Sequence, residues 1–485
     1  MSDLTFDVAI IGAGFTGTAL AVHLLRVMPR GSRILMLGSP KATARGLAYG
    51  TDNPDHLLNV RAGRMSLLAD DMLHFTRWLV ESGHGRGRAP SEIAEAYVPR
   101  RLYGRYLRET LRSAVAKAID GVRLALVEDP VTDLQRSGPG FTLRTATEER
   151  HVARSVALCL GNQQAALPLP AAAITGMAGD HVIADPWSDY RVQLIAADAR
   201  VLLIGAGLTM VDQVLTLLGR GHAGPLVAAS RHGLLPRAHR PGRSEPRAID
   251  LPPGKLSLRS LFKAVVDAAR AEDAAGRDWR TIVDGLRPVT QQLWQRLDVA
   301  DRSRFFRHVA SLWSIHRHRM APSIAARIAD LRASGRLSLW PAQVRAIRKS
   351  GRGVTVALQG RRNRTVTLQP FDWVINCAGV RAATADPLVA RLVNQGLARP
   401  DALGRGLDVV ESAHVVGRSG APTSGLFALG PLTAGTLLEI TAVPDIREQC
   451  AVVAGEIARQ VAEANAVAEI HSGRAGESSA HRRRR

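Results

Sequence analysis

The chain has 485 residues, of which 46% are hydrophobic and 22% are charged, and its formal net charge at pH 7 is +21. This length predicts two or three domains, and the composition is that of a water-soluble globular protein. No apolar run is long enough to span a bilayer, and the first predicted strand begins too early for a secretory signal peptide. We therefore expect a cytoplasmic protein that does not act at a membrane.

The arginines and the cysteines exclude further classes of function. Almost all of the positive charge comes from arginines scattered through every segment, without an aromatic platform between them, so nucleic acid is not an expected partner. Cys159, Cys377 and Cys450 lie far apart and form no CxxC pair, which argues against a disulfide framework, a metal site and a dithiol redox centre. The polar, basic tail of residues 469–485 is predicted to be disordered.

The stretch DVAIIGAGFTG, residues 7–17, predicts a dinucleotide site. Residues 8–11 are typical of a buried parallel strand, and a helical pattern follows over residues 18–28. Between them, Gly12 allows a tight turn, Gly14 lets the backbone approach a pyrophosphate, and Gly17 lets helix and strand pack closely. The pyrophosphate would bind at the helix N-terminus, with Ala13 and Thr16 beside it.

The segments that follow predict strands, a functional loop and a helix. Residues 33–37 predict a second strand, after which Gly38 and Ser39 stand where an acidic residue commonly holds the ribose, so Ser39 offers the hydrogen bond instead. The polar loop of residues 45–71 is of a kind that often carries function. We expect a helix over residues 107–118 and antiparallel strands within residues 123–134 and 141–144. A buried strand over residues 155–162 ends in a glycine turn, where Asn162 is a candidate cofactor contact.

A second dinucleotide unit is predicted in the middle of the chain. Residues 200–204 form its strand, GAGLTM its turn and residues 211–218 its helix, with Met210 at the position of the third glycine. The next strand, residues 225–229, ends at a basic residue that favours NADPH over NADH, although an arginine exposed at the surface would give the same pattern. The predicted coenzyme contacts are Gly205, Gly207, Leu208, Thr209, Ser230 and Arg231.

Residues 256–331 predict a helical insertion, whose most unusual piece is SIHRHRMAP. His316 and His318 lie two residues apart, which on a helix directs them to different faces. Without a nearby carboxylate a metal site is not expected, and both an anion-binding or substrate-binding cluster and a solvated helix end fit the pattern. Further strands are predicted at residues 354–358, 365–368, 373–379 and 425–430, and a last amphipathic helix is predicted over residues 446–461.

Two nucleotide units about 190 residues apart, followed by a late strand–glycine–helix segment, resemble the flavoproteins with two dinucleotide-binding domains. Further stretches resemble a bacterial FAD/NAD(P)-binding family related to flavin-containing monooxygenases, namely GLAYGT, LLNVRAGRMS, VPRRLYGRY, DPW, GAGLTMVD, SRHGLLPRAH, HRHRMAP, VINCAG and LGPLTAGTLLEITAVPDIR. The resemblance implies an α/β fold with two Rossmann-like domains. These are an FAD-binding domain over residues 1–190, an NAD(P)H-binding domain over residues 191–365 with a helical insertion at about residues 250–330, and a return to the FAD domain over residues 366–468.

The same resemblance implies particular site residues. Asn59, with Met65 and Asp70 after it, resembles the segment in which flavin-containing monooxygenases place an asparagine over the flavin, so Asn59 is the candidate catalytic residue. A helix N-terminus is expected just after Thr436, where it would stabilise negative charge on the flavin. Further candidate FAD contacts are Leu58, Gly430, Gly435 and Thr436.

The function implied first is that of an FAD-dependent, NAD(P)H-using monooxygenase. It would hydroxylate a small molecule, such as an amine or an electron-rich heterocycle like urate, with O₂ and through a C4a-peroxyflavin. Met177 and Ile183 replace a Phe and a His of the monooxygenase fingerprint, which keeps open a reductase or oxidase that passes electrons to a quinone, a protein or O₂. A third hypothesis is a basic flavoprotein that acts on RNA. The sequence leaves open the substrate, the preferred coenzyme and the oligomeric state, a homo-oligomer included.

Overall fold

The computed structural model describes residues 5–40, 43–164, 166–242, 245–251, 253–361, 363–381 and 383–482. The strands of these residues are β1 (Thr5–Ile11), β2 (Arg33–Leu37), β3 (Arg123–Val127), β4 (Val131–Ser137), β5 (Gly140–Thr145), β6 (Arg150–Leu158), β7 (Gln163–Gln164), β8 (Ile174–Thr175), β9 (Val182–Ile183), β10 (Val201–Ile204), β11 (Leu226–Ser230), β12 (Leu337–Ser350), β13 (Gly353–Gly360), β14 (Val366–Phe371), β15 (Trp373–Asn376), β16 (Val380–Arg381), β17 (His414–Val416) and β18 (Pro422–Ala428).

The α-helices of the described residues are α1 (Phe15–Val27), α2 (Gly46–Tyr49), α3 (His74–Glu81), α4 (Pro90–Ala94), α5 (Arg100–Ala116), α6 (Leu208–Gly219), α7 (Leu258–Ala274), α8 (Arg280–Gly285), α9 (Thr290–Arg296), α10 (Val299–Arg304), α11 (Ala310–Arg317), α12 (Pro322–Ala333), α13 (Pro387–Gln395) and α14 (Val443–Arg482). A π-helical turn, Phe305–Val309, joins α10 to α11. In the described part of the chain, no helix combines the length and the apolar character needed to cross a membrane.

The first sheet has the strand order β17-β18-β6-β1-β2-β3, with the β4–β5 hairpin attached to β6. The central strand β1 pairs in parallel with β2 and with β6, so that Val8 lies opposite Ile34 on one side and Ser155 on the other. Residues 8–11 are almost completely buried because helices cover the sheet, and the apolar faces of α1, α5 and α14 share one core with β1.

The second sheet has the strand order β14-β13-β12-β11-β10-β15-β9. Its central strand β10 pairs in parallel with β11 and with β15, and the helices α7 to α12 lie between β11 and β12 in the chain. The predicted α/β fold with two Rossmann-like units and a helical insertion is confirmed. Its boundaries differ, because β14 and β15 belong to the second sheet and the predicted return to the first domain at residue 366 is therefore too early. Likewise β8 and β9 join the second sheet before residue 190.

Three elements differ from the sequence prediction in type or extent. β3 pairs in parallel with β2, and only β4 and β5 form the predicted antiparallel hairpin. β12 was not predicted because its buried positions do not alternate and Pro341 interrupts it; it pairs in parallel with β11 and then turns to antiparallel pairing with β13. The last helix α14 continues to Arg482, over most of the segment that the sequence predicts to be a disordered tail.

Candidate functional site

The glycine turn after β1 is built for close backbone approach. Gly12 has φ +112°, and a Cβ there or at Gly17 would overlap a carbonyl oxygen, that of Cys159 or of Gly12 respectively. Gly14 caps α1 without a side-chain hydrogen bond, and a Cβ on it would come no nearer than 3.6 Å to another atom of the chain. The first N–H groups of α1 are thus free of side-chain caps, and the turn fits a pyrophosphate.

The end of β2 explains why no acidic residue stands there. A Cβ at Gly38 would lie 2.7 Å from the backbone nitrogen of Ala13, so this position is closed to any side chain. Ser39, the next residue, is exposed and free to meet a ligand, as is Asn162 beyond β6. Leu58, in contrast, is buried in the core and donates its backbone N–H to Val98, which is a structural role.

The late glycine segment lies against the first glycine turn. A Cβ at Gly430 would lie 2.8 Å from the hydroxyl oxygen of Thr16. Gly435 is buried against the carboxylate of Asp401, and Thr436 is half-buried. The predicted helix N-terminus after Thr436 is wrong, because residues 434–442 form turns and α14 begins only at Val443.

The second glycine turn opens into a cavity of about 860 Å³, which we call the coenzyme cavity. Gly205 has φ +118° and no room for a Cβ beside the carbonyl of Cys377, whereas Gly207 caps α6 with nothing within 4 Å of the place of its missing side chain. All six predicted contacts line this one cavity, namely Gly205, Gly207, Leu208, Thr209, Ser230 and Arg231. The cavity fits the phosphates of a dinucleotide.

Two further arginines of the coenzyme cavity were not predicted from the sequence. Arg345, from β12, and Arg405, from the loop after α13, line it together with the exposed Arg231. Arg345 bonds Gln359 rather than a carboxylate, so its charge is not neutralised locally. These residues come from three distant segments of an arginine-rich chain, and no local pattern marks them.

Asn59 lines a different cavity, of about 520 Å³, which we call the Asn59 cavity. Its backbone carbonyl accepts a hydrogen bond of 2.9 Å from Nε2 of His239, and its half-buried side-chain amide has no hydrogen-bond partner among the described residues. Residues 441–443, at the start of α14, line the same cavity. A helix N-terminus therefore lies at the Asn59 cavity, but it follows Ala442 and not Thr436.

His318 lies where the two cavities meet, because it lines both. Its Nε2 is 4.0 Å from Oε1 of Glu439, and its Nδ1 is 3.4 Å from the hydroxyl of Ser314. Burial lowers the pKa of His318, so the ring is neutral at pH 7. His316 instead lines a separate apolar cavity of the helical insertion, which confirms that the two histidines occupy different faces.

Glu439, beside His318, also contacts two side chains of α11. Its Oε1 accepts a hydrogen bond from the Trp313 indole N–H, and its Oε2 lies 2.9 Å from Nε of Arg317. Its backbone is left-handed, with φ +60°, a conformation that costs a non-glycine residue energy and is often found at functional sites. Among the described side chains, no group of three or more His, Cys, Asp and Glu is placed to hold a metal ion.

Comparisons with known proteins agree with this architecture. The fold is similar to that of reduced ornithine hydroxylase from Pseudomonas aeruginosa, with a TM-score of 0.65 and 15% identity over 94% of this chain and 100% of that one. It is similar to L-lysine 6-monooxygenase from Pseudomonas syringae (TM-score 0.63, 18% identity, 94% of this chain and 99% of that one). It is also similar to bacillithiol disulfide reductase from Bacillus cereus (TM-score 0.54, 14% identity, 94% and 99%). The fold is thus that of the two-domain dinucleotide-binding flavoproteins.

The family comparison concerns the N-terminal third of the chain. Residues 9–163 match the model of the family described as FAD-NAD(P)-binding. The predicted resemblance to an FAD/NAD(P)-binding family, and with it FAD and NAD(P) as cofactors, is confirmed. No curated protein matches the sequence significantly.

Proposed function

We propose that this protein is an FAD- and NADPH-dependent monooxygenase that hydroxylates a small molecule. The observation that carries the proposal is the meeting of two cavities at His318, one formed at the coenzyme turn of the second unit and one at Asn59 of the first. When bound, FAD supplies the redox chemistry that couples oxidation of NADPH to activation of O₂. The protein then has to hold the substrate in the Asn59 cavity and the coenzyme in the coenzyme cavity, on either side of His318, and to exclude water from both.

Two side chains and one helix terminus carry the proposed roles. The Asn59 amide has both a donor and an acceptor free for a group in its cavity, since His239 engages only its backbone. His318 is neutral and can take up a proton at Nε2, where Glu439 at 4.0 Å stabilises the resulting charge. The N-terminus of α14 points its positive end into the Asn59 cavity and favours a developing negative charge there.

The names of two similar structures support an amine as the substrate class. One hydroxylates ornithine and the other is a lysine 6-monooxygenase, and both amino acids carry a terminal amine. Nothing comparable supports urate. We therefore place an amine nitrogen at Asn59 as the atom to be hydroxylated.

A screen of the FAD-loaded protein tests this proposal. NADPH consumption is followed with candidate amines, hydroxylated product is measured by mass spectrometry, and peroxide is measured alongside. We expect one amine to give product in proportion to NADPH consumed. A protein that cannot be loaded with FAD, or that consumes NADPH to give peroxide alone with every amine, would contradict the monooxygenase.

A reductase or oxidase is the second candidate, favoured by the similarity to a disulfide reductase. The cysteines of this chain do not support a dithiol mechanism, because Cys159, Cys377 and Cys450 are all free and buried. Electrons would have to pass directly to a quinone, a protein or O₂. Rapid NADPH oxidation with a quinone, without hydroxylated product, would establish this alternative.

A further inference from the structure

The Asn59 cavity carries an excess of positive charge. Glu95 and Asp284 are the carboxylates that line it, whereas seven arginines do so: Arg61, Arg64, Arg240, Arg280, Arg287, Arg317 and Arg319. Such a concentration in about 520 Å³ is unusual, because like charges brought out of water repel one another strongly. Water solvates the exposed Arg64 and Arg240, whereas the more buried arginines need carboxylates behind the wall or a ligand to compensate them.

Five of these arginines have carboxylate partners in the chain. Arg61 binds Glu95, Arg319 binds Asp284, and Arg317 lies 2.9 Å from Glu439. The remaining two share Asp278, with Arg280 at 3.0 Å and Arg240 at 3.8 Å. These ion pairs account for every carboxylate that lines the cavity.

Arg64 and Arg287 are the two remaining arginines of the Asn59 cavity. Within the described part of the chain, neither has a carboxylate oxygen within ion-pair distance, and the nearby Asp445 has one buried carboxylate oxygen without a hydrogen bond. Burial, together with Arg317 and Arg64, lowers the pKa of Arg287 to about 10, although the more distant carboxylates of Asp445 and Asp284 oppose this shift, and the group stays charged at pH 7. Arg64 is exposed and stays partly hydrated, whereas Arg287 is half-buried, and a cation withdrawn from water beside like charges is costly unless an anion meets it.

The cofactor phosphates do not fill this role. The pyrophosphate of FAD has its place at the turn of Gly12 to Gly17, and the coenzyme phosphates have theirs at α6 and Arg231, in the other cavity. Both places are built from glycine turns and helix termini that Arg64 and Arg287 do not join. The two unpaired cations therefore face the space left for the substrate.

We propose that the substrate carries two negative charges at one end, as two carboxylates or as a phosphate monoester, bound by Arg64 and Arg287. This inference rests on the proposed function and adds the recognition of its substrate. Guanidinium groups bind both kinds of anion through paired N–H donors. A simple diamine finds no free carboxylate in this cavity, because Glu95 and Asp284 already hold arginines.

Calorimetric titration of the FAD-loaded protein with NADP⁺ present tests the inference. The probes are malonate, glycerol 3-phosphate and 1,5-diaminopentane. We expect at least one anion to bind, and its dissociation constant to rise at least tenfold in Arg287→Gln and in Arg64→Gln and to recover in part in Arg287→Lys. Arg332→Gln, which removes an exposed charge at the end of α12, serves as the matched control and should leave it unchanged. The two anions decide between carboxylates and phosphate.

Several outcomes separate this inference from the proposed function. Binding of neither anion, equal weakening in Arg332→Gln, or tightest binding of 1,5-diaminopentane would overturn it. If a variant fails to fold, anion binding to the wild type is measured at increasing salt concentration instead. An anion dissociation constant that does not change with ionic strength would contradict the inference. Anion binding that depends on Arg64 and Arg287 in a protein without hydroxylated product would refute the monooxygenase and retain the anion site.

Discussion

Arg100 donates two hydrogen bonds to the carboxylate of Asp212, from Nη1 at 2.8 Å and from Nη2 at 3.1 Å. Arg100 begins α5 in the first dinucleotide unit and Asp212 lies in α6 of the second, so this pair joins the two units. The side chains are only 13% and 7% exposed, respectively. His56 adds a hydrogen bond of 2.9 Å from Nε2 to the backbone carbonyl of Asp212. The pair sets the position of the coenzyme turn relative to the first unit.

Breaking this pair should destabilise the protein. In Arg100→Gln, the buried carboxylate of Asp212 loses its partner, and removal of one member of a buried pair costs about 3–5 kcal/mol. Urea unfolding of the wild type and the variant measures the loss. Arg101→Gln, at the exposed neighbouring position, should change the free energy of unfolding by less than about 0.5 kcal/mol. Equal effects of the two substitutions would show that the pair does not hold the units together.

Asn59→Ala should uncouple NADPH consumption from hydroxylation. The amide lines the cavity without a partner in the described chain, so its removal leaves folding and FAD content intact but loosens the hold on the reacting group. We expect the ratio of peroxide to hydroxylated product to rise about tenfold or more, as for loss of a positioned hydrogen bond. The control is Asn53→Ala, in the same loop, where the side chain braces a turn by accepting from Asp55 N–H. Loss of FAD in Asn59→Ala would assign this residue to the scaffold.

Arg231→Ala should discriminate between the two coenzymes. A charged hydrogen bond to a phosphate contributes about 1.5–3 kcal/mol, or roughly ten- to a hundredfold in binding. The Michaelis constant for NADPH should rise by that factor while the one for NADH stays nearly constant. Steady-state kinetics with both coenzymes measures this, with Arg220→Ala at the end of α6 as the control. An equal rise of the Michaelis constants for NADPH and NADH would show that Arg231 has a structural role and does not bind the 2′-phosphate.

The glycines of the first turn should respond differently to alanine. Gly17→Ala places a Cβ onto the carbonyl of Gly12 and should prevent folding of the unit. Gly14→Ala meets no protein atom closer than 3.6 Å, so the protein should fold while its new methyl group occupies space meant for the pyrophosphate. We expect native circular dichroism and strongly reduced FAD content in Gly14→Ala. Full FAD content in this variant would place the pyrophosphate elsewhere.

Acid should destabilise the protein partly through His239. Burial lowers the pKa of His239 to about 4, whereas in the unfolded chain it is about 6.5. Between these values the unfolded state binds more protons, so this contribution to stability is present above pH 6.5 and is lost as the pH falls toward 4. Urea unfolding at pH 7 and pH 5 should show a smaller pH dependence in His239→Gln than in the wild type. An unchanged pH dependence would mean that His239 is not held neutral.

The local elements were predictable because their causes lie within short stretches. Gly12, Gly14 and Gly17 follow an apolar strand and precede a helix, and the turn they form follows from the lack of Cβ atoms at those positions. The same holds for Gly205 and Gly207, and the register of a parallel unit then brings Ser230 and Arg231 to the same end of the sheet. The residues of these two segments that line the coenzyme cavity could therefore be named from sequence alone.

Other features depend on contacts between residues far apart in the chain. The membership of β15 in the second sheet is decided by its pairing with β10, whose residues lie about 170 positions earlier in the chain, and β14 joins the same sheet through β13. α14 starts at Val443 rather than after Thr436, and the preceding turn packs Gly435 against Asp401, a contact between segments that are not adjacent in the chain. The Arg100–Asp212 pair joins two motifs that were each recognised without any sign that they meet.

The charge of the Asn59 cavity is the clearest case of a tertiary decision. The sequence by itself determined that arginine supplies almost all of the +21 net charge, and that pattern is the same for a solvated surface and for a binding site. Only the folded chain pairs Arg319 with Asp284 and Arg317 with Glu439, while no carboxylate oxygen of the described residues lies within ion-pair distance of Arg64 or Arg287. The reason is physical: the cost of a charge depends on its distance from other charges and from water, and folding alone sets both distances.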